Sequence, residues 1–410
     1  MALNLTNFNY ALKEMYADGV GYVDELDTPT LSMLPKRTDF TGNKYVQPTQ
    51  YANNAGRSGD ITVAQSASNG AAGARFEITC AQDYGVIRID GQTLRASGGG
   101  QMSRSEARSF LEARAEEIRT TTEALMQSLA HSIFRDGSGV RGTRASLAGN
   151  IVTLTNASDA LFFEVGMVVG AAITGGGAAR VGTTTVTAVS RGMGAGATST
   201  VTLASAAAIA AFADTDNLFV SGDYVTQNRR VYGFGSWVPS TAPGATPFNG
   251  VDRSVDVSRL GGLRYTGTEM LVERLINAEA WANIQGAKID YFVLHPSVLA
   301  QVKNILGDKI RYVDAKSFSG RVSFKTVEID TQFGTVRLLG DRFCPMSVAY
   351  GLQMNTWKLV SRGPCPGPLD HLGSGEFFTV TTADQIEGRL GYYADLACNA
   401  PGYNIVVPTT

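Results

Sequence analysis

The side chains of this chain best suited to chemistry are three histidines, four cysteines and a close pair of aspartates. His131, His295 and His371 lie 164 and 76 residues apart and share no local motif. General acid–base work needs a partner converging on the ring, so each histidine reads as structural or solvated. Cys80, Cys344, Cys365 and Cys398 are equally dispersed, with no CxxC or HExxH spacing to build a zinc site. They read as free thiols of a reducing compartment. Asp214 and Asp216 could open a calcium loop, but the other ligand positions are missing, and a surface turn is the simpler reading. No Gly-Lys dipeptide forms a phosphate loop and no GxSxG forms a nucleophile elbow. The run Thr174-Gly-Gly-Gly177 opens no periodic helix, so it reads as a flexible loop rather than a phosphate cradle. These residues point to a chain with no catalytic, cofactor or metal site, hence not an enzyme.

Composition narrows the class further. At 410 residues the chain can hold two or three compact units with a real core. A net charge of −2 leaves no electrostatic footprint for tight nucleic-acid binding. Lysines number nine, with none between Lys44 and Lys288. The densest basic points are Lys36–Arg37 and Arg229–Arg230, and adjacent arginines read as a solvated surface. No run of 18 apolar residues crosses a membrane, and the first residues lack the charged-then-apolar order of a signal peptide.

The elements that would carry these residues come in an unusual order. Residues 1–40 form an arm, helical for a turn or two at Leu12–Tyr16 and otherwise kept extended by Pro29 and Pro35. Residues 41–102 are a long β excursion, alternating at Phe76–Cys80 and Val86–Asp90, with a polar tip between Tyr45 and Arg75. Ser103 and Glu106 form a capping box, no Pro or Gly follows until Gly137, and the spacing predicts one helix over 103–136, roughly 50 Å long. Its apolar stripe is thin, at Leu111, Ile118, Leu125, Leu129 and Ile133, with Arg108–Glu112 and Glu116–Arg119 as side-chain pairs. A coiled-coil segment is one reading; a strut across a sheet that also touches a neighbouring subunit is the other.

Residues 142–228 are rich in Gly, Thr, Ala and Val and read as a small all-β module, with strands at Ile151–Thr155, Thr184–Val189, Thr198–Leu203 and Leu218–Val220. From about 250 the pattern becomes mixed α/β. A helix capped within Thr266–Glu269 runs to about Gln285, Tyr291–Leu294 is a buried strand, and Pro296 opens a helix with Val298, Leu299, Val302, Ile305 and Leu306 on one face. Strands Val327–Asp330 and Thr335–Leu339 form a hairpin, followed by strands at Ser347–Tyr350, Trp357–Val360, Phe377–Val380 and Ile386–Tyr393 around a loop at 363–375. The class is α+β. An arm, a long loop and a thin strut have little core of their own and need a neighbour's surface, which argues for a large symmetric assembly.

Several runs, in this order, resemble the major capsid proteins of tailed bacteriophages with the Hong Kong 97-like fold: LKEMYADGV at 12–20, PKRTDFTGNKYVQPTQY at 35–51, IFRDGSG at 133–139, FNGVDRSVDVSRLGGLRY at 248–265, DYFVLHPSVLAQV at 290–302 and RLGYYADLACNAPGYNIVV at 389–407. The resemblance implies an N-terminal arm over 1–40, an extended β loop over 41–102 and the spine helix of the peripheral domain within 103–141. It further implies an inserted all-β domain over 142–228, then the axial domain with returning peripheral strands over 229–410. It implies a shell protein that assembles with itself as pentamers and hexamers into an icosahedral virion capsid in the bacterial cytoplasm. Its partners would be a portal protein, a decoration protein where one exists, and packaged double-stranded DNA held without sequence specificity.

Two departures stand out. Some members weld subunits through a lysine on the extended loop; the tip here has none, so no such crosslink is expected. The arm and loop use all the residues before the helix, so a separate scaffolding protein is expected. On the loop, Arg57, Asp60, Arg75 and Arg88 are candidate intersubunit contacts, because exposed charges there need partners, each pair contributing about 0–1 kcal/mol. A tail or adhesin protein would also account for the Gly/Thr-rich region but would form elongated trimers. An encapsulin-like nanocompartment would share the shell fold.

Overall fold

The computed structural model describes residues 28–96, 113–192, 194, 196–224, 229–306, 311–316, 323–331, 334–369, 377–380 and 382–409. Helical turns at Leu12–Tyr16, the capping box at Ser103, Leu111, the Arg108–Glu112 pair and His371 lie outside the described residues. The chain divides into a smaller unit, drawn from 84–124 and 368–390 among others, and a larger one built from 28–83, 125–367 and 391–410.

In the smaller unit, strand Phe377–Thr379 pairs antiparallel with Ile386–Gly388, and the backbone N–H of Gly91 donates to the Asp384 carbonyl at 2.8 Å. Helix Gly91–Ala96 starts at that contact, and helix Ala113–Phe134 begins here. On that helix Arg119 pairs with Glu123 one turn on, at 2.5 Å.

The larger unit holds three sheet systems. In the first, Lys36–Arg37 runs parallel to Trp357–Ser361, which runs antiparallel to the end of Gln385–Cys398. Pro29–Met33 ahead of it is a short helix, not the extended chain that Pro29 suggested. Proline's fixed φ and missing N–H suit the first helical position, so it starts a helix here. The second system has seven strands in the order Leu263–Arg264, Ile405–Pro408, Val348–Leu352, Tyr291–Leu294, Gly334–Gly340, Ser323–Thr331 and Arg311–Lys316. Tyr291–Leu294 is buried at all four positions, as a central strand covered on both faces requires.

Helices Leu271–Ile284 and Pro296–Leu306 cover that sheet through Leu275, Ala278, Ala282, Val298, Leu299 and Val302. The first of them starts later than the Thr266–Glu269 signal, at Met270, which makes no side-chain cap; Glu269 instead accepts from the Tyr265 hydroxyl at 3.0 Å. Ile305 was expected on the buried face but is half exposed, the stripe being satisfied by its neighbours.

The third system is a closed barrel of Val140–Ala148, Ile151–Leu154, Val168–Ala172, Thr184–Ser190, Thr200–Leu203 and Asn217–Val220. The last strand pairs with both the first and Val168–Ala172, which closes the ring and leaves no open edge. Inward residues alternate along the strands, and Val152, Leu154, Val186, Val201 and Leu203 share one buried cluster with Phe163. A core of small branched side chains suits so narrow a barrel, which is why the segment looked poor in large apolar residues.

The long helix ends inside the larger unit, where every residue from 128 to 134 is buried although the sequence showed only a thin stripe. Polar side chains complete the helix surface. The Ser132 hydroxyl donates to the Ser128 carbonyl at 2.7 Å, and the Arg141 guanidinium donates to the Ser128 hydroxyl at 3.3 Å. Gly137 ends it in the left-handed region at φ +78, where a Cβ would meet the Tyr232 ring. Gly233 lets the returning chain lie directly against the Ile133 carbonyl.

His131 is buried on this helix, its ring 4.3 Å from that of Phe162. Its Nε2 accepts from the Arg135 Nε at 3.1 Å, and since arginine is always a donor this ring must be neutral. Burial, then the charges of Arg135, Arg141 and Arg230, hold its pKa well below the ordinary histidine value. A depressed histidine leaves the unfolded chain binding more protons below about pH 6.5, so it contributes stability above that pH that is lost on acidification. The expected slope from this group is at most about 1.4 kcal/mol per pH unit. The His131→Gln variant, which keeps an acceptor for Arg135, loses that part of the pH dependence in urea denaturation followed from pH 7.5 to 5. An unchanged slope in the variant refutes the assignment.

Candidate functional site

No three side chains of the metal-ligating types converge among the described residues. His295 serves its own chain: its Nδ1 accepts from the backbone N–H of Ser297 at 3.3 Å, at the start of the helix opened by Pro296. All four cysteines are free, and burial raises their pKa values, Cys80 to about 11 and Cys398 to about 12, as expected of inert thiols. The organised polar features lie instead in an outstretched hairpin and in a buried cluster of charges.

The hairpin pairs Tyr45–Ala52 with Ala72–Ile78, in register from Tyr45 opposite Ile78. Its root is pinned. Phe76 and Ile78 are buried, Phe76 lying 5.0 Å from the Trp237 ring, and the backbone N–H of Glu77 donates to the Asn249 carbonyl at 2.8 Å. Thr49 donates to the Asn399 carbonyl at 2.9 Å, and Arg259 donates to that of Tyr51 at 2.5 Å. Beyond Ala52 the chain is almost wholly exposed up to Ala71. Its tip carries the short helix Ile61–Ser66, on which Ile61 is 72% and Val63 51% exposed.

The four candidate contact residues fall out differently from one another. Arg57 is exposed at the tip. Asp60 caps the tip helix, accepting from the backbone N–H of Thr62 at 2.8 Å, a local role the sequence did not anticipate. Arg75 sits 3.6 Å from Glu77 within its own strand, and Arg88 pairs with Glu387 at 3.0 Å inside the smaller unit. Of the four, Arg57, Asp60 and Arg75 belong to the hairpin.

The charge cluster overturns the reading of Arg229–Arg230 as solvated surface. Arg230 is buried between Asp83, at 2.5 Å, and Asp223. Arg141 reaches the same Asp223 at 3.7 Å, and the Tyr392 hydroxyl donates to Asp83 at 3.4 Å. Arg229 pairs with Asp395 at 2.7 Å and also donates to the carbonyl and hydroxyl of Thr79. Asp395 has no exposed surface and accepts further from the backbone N–H groups of Tyr232 and Leu396, each at 2.9 Å. Three guanidinium groups thus face three carboxylates. Burial opposes the Arg230 charge, but Asp83 and Asp223 outweigh it and raise the pKa. Burial pushes Asp395 up to about 6 against the pull of Arg229 and its other donors.

Asp216 is likewise no surface turn: it is buried, takes two hydrogen bonds from Arg180 at 2.9 and 3.1 Å, and caps the backbone N–H of Ala213 at 2.7 Å. Asp214 beside it pairs with Arg144 at 2.9 Å. Alternation and spacing carry no signal for such clusters, because their partners are up to 309 residues apart in sequence. The one hint was a pair of adjacent arginines in a chain with few charges.

Removing one partner of a buried pair strands the other. Asp83→Ala is expected to destabilise the subunit by about 3–5 kcal/mol in chemical denaturation. Glu164→Ala, which breaks an exposed pair with Arg191, is expected to change it by no more than about 0.5 kcal/mol. Equal small losses from both would show that the buried cluster does not hold the fold.

Comparison with known structures finds phage-type capsid subunits of similar fold. A capsid subunit from the asymmetric unit of cyanophage A-1(L) superposes with a TM-score of 0.58 at 11% identity, covering 99% of each chain. The capsid of an empty GTA particle computed with C5 symmetry gives 0.50 at 10% identity and 99% of each chain. The holo-SrpI encapsulin of Synechococcus elongatus PCC 7942 gives 0.45 at 11% identity, covering 100% of this chain and 96% of that one, too distant to bear on function. No curated protein sequence matches. The family described as SU10 major capsid protein matches residues 2–371, nine-tenths of the length, and the chain belongs to that family of tailed-phage major capsid proteins.

Proposed function

We propose that this capsid protein builds its shell in the Hong Kong 97 manner, with the hairpin around Tyr45–Ile78 laid across an adjacent copy. The supporting observation is the contrast within that hairpin. Its root is buried and hydrogen-bonded, while the tip presents two large apolar side chains, Ile61 and Val63, to water. A two-stranded ribbon is marginal alone and gains stability when its tip meets a surface. In this reading copies form pentamers and hexamers of an icosahedral shell assembled in the bacterial cytoplasm. The barrel at Val140–Val220 is an insertion into the shell fold, and the polypeptide has no catalytic role. A separate scaffolding protein, a portal and, where present, a decoration protein are its partners. Double-stranded DNA is enclosed without sequence recognition, in keeping with a net charge of −2.

Two experiments test this. The double variant Ile61→Asp, Val63→Asp touches exposed positions, so the subunit should keep its stability to within about 1 kcal/mol. It should fail to form closed shells by electron microscopy where the wild type succeeds. Normal shells from the variant would remove the hairpin tip from the assembly interface. Separately, Lys44 is engaged by Glu77 at 2.5 Å and the tip beyond it has no lysine. Mature particles should therefore dissolve to monomer-sized bands on denaturing gels, and covalent ladders would refute this.

A further inference from the structure

The dipeptide Asn-Gly occurs twice in the chain, at Asn69–Gly70 and at Asn249–Gly250. It carries a reaction of its own. The backbone nitrogen of the glycine attacks the Cγ of the asparagine amide, ammonia leaves, and a cyclic succinimide forms. Water then opens the ring to aspartate or to isoaspartate. Any other residue after the asparagine hinders that nitrogen with its Cβ, whereas glycine leaves it open and lets the backbone turn to the reactive angle. The fold treats the two dipeptides in opposite ways.

Asn249–Gly250 is locked in a two-residue turn. Phe248 and Val251 exchange backbone hydrogen bonds at 2.9 and 3.0 Å, and the two central residues hold φ values of +49 and +83. The Asn249 carbonyl accepts from the backbone N–H of Glu77 at 2.8 Å, which ties the turn to the hairpin root. Its Nδ2, the nitrogen that would leave as ammonia, is buried.

Asn69–Gly70 is open. It lies between helix Ile61–Ser66 and strand Ala72–Ile78, and both residues are exposed. Among the described residues the Asn69 amide makes no hydrogen bond and the Gly70 N–H donates to nothing. Neither residue is held at positive φ, and no atom lies within 4 Å of the place a Gly70 Cβ would take. Nucleophile, carbonyl carbon and leaving group are all free to move and all in water.

We propose that Asn69–Gly70 is a site of spontaneous deamidation in the unassembled subunit, with water as the only co-reactant. Asn249–Gly250 is protected by its turn. The product places a new carboxylate on the hairpin tip, and its isoaspartyl form lengthens the main chain just ahead of strand Ala72–Ile78. The inference concerns the free subunit and does not depend on where the tip docks.

The test incubates the full-length subunit in mildly alkaline buffer, where loss of the Gly70 N–H proton speeds the attack, and maps its peptides by mass spectrometry over time. A parallel incubation in urea gives the rates in the unfolded chain, where both dipeptides are expected to react alike. In the native subunit Asn69 should give aspartyl and isoaspartyl products on that same timescale. Native Asn249 should react at least about tenfold more slowly, since its reaction waits for local opening. Gly70→Ala meets no neighbour and no strained φ, so it should leave the thermal midpoint unchanged while slowing the reaction at Asn69 severalfold. Native Asn69 as slow as native Asn249, a Gly70→Ala rate equal to that of the wild type, or aspartyl product without isoaspartyl overturns the proposal.

Discussion

The larger unit depends on a charge balance struck out of water. Arg141, Arg229 and Arg230 face Asp83, Asp223 and Asp395, and these six residues come from four separate stretches of chain. Each ion loses several kcal/mol of hydration on burial, recovered only where the partners are close and the remaining donors and acceptors are used. Asp395 meets that condition fully, with one guanidinium and two backbone donors. Such a cluster adds little net stability over an apolar core of the same volume. What it does add is intolerance of misalignment: a shifted strand would leave an unpaired charge in the interior. We read it as the device that fixes how the barrel's outgoing chain, at 223–232, meets the strand ending at Cys398.

Around that cluster the apolar contacts divide cleanly. The barrel has its own interior about Phe163, and the seven-stranded sheet has another beneath its two helices. The aromatic rings of Phe134, Phe234, Trp237, Tyr350 and Trp357 form a further group, mostly edge to face. At the buried end of the long helix Phe134 meets the Phe234 and Tyr350 rings, so neighbouring chain supplies much of the apolar contact there. Beside Leu125, Leu129, Ile133 and Phe134 the helix also buries small or polar side chains, Ser128, Ala130 and Ser132.

What was legible in the sequence follows from this division. Strands with strict alternation, such as Phe76–Ile78 and Ile87–Ile89, and the fully apolar Tyr291–Leu294 were readable because one local pattern decides them. Strands Val168–Ala172 and Arg311–Lys316 were missed. The first is made of residues too small to signal a core, and the second is an outer strand whose place is set by its hairpin partner. The burial of Arg229, Arg230 and Asp216 was misread for a different reason: an isolated charge looks solvated until its distant counterion is known. Of the four residues suggested for assembly contacts, the turn chemistry of Asp60 could have been recognised. It precedes Ile-Thr, and an aspartate before a short helical run is an ordinary cap.

The barrel and the hairpin solve the same backbone problem in opposite ways. The barrel closes, so no N–H or carbonyl row is offered to another molecule. The hairpin at Tyr45–Ile78 is a two-stranded sheet among the described residues, without a third strand on either outer row. Its sequence blunts indiscriminate pairing: Pro48 interrupts one strand's donors, and Arg75 and Glu77 place charge on the other. Near the root the Glu77 N–H is already spent on Asn249. A ribbon protected along its strands but apolar at its tip fits the proposed contact with an adjacent copy better than open-ended strand addition. That distinction is what a closed shell needs, because a contact that propagates without limit gives fibres and one that seats in a fixed recess can close.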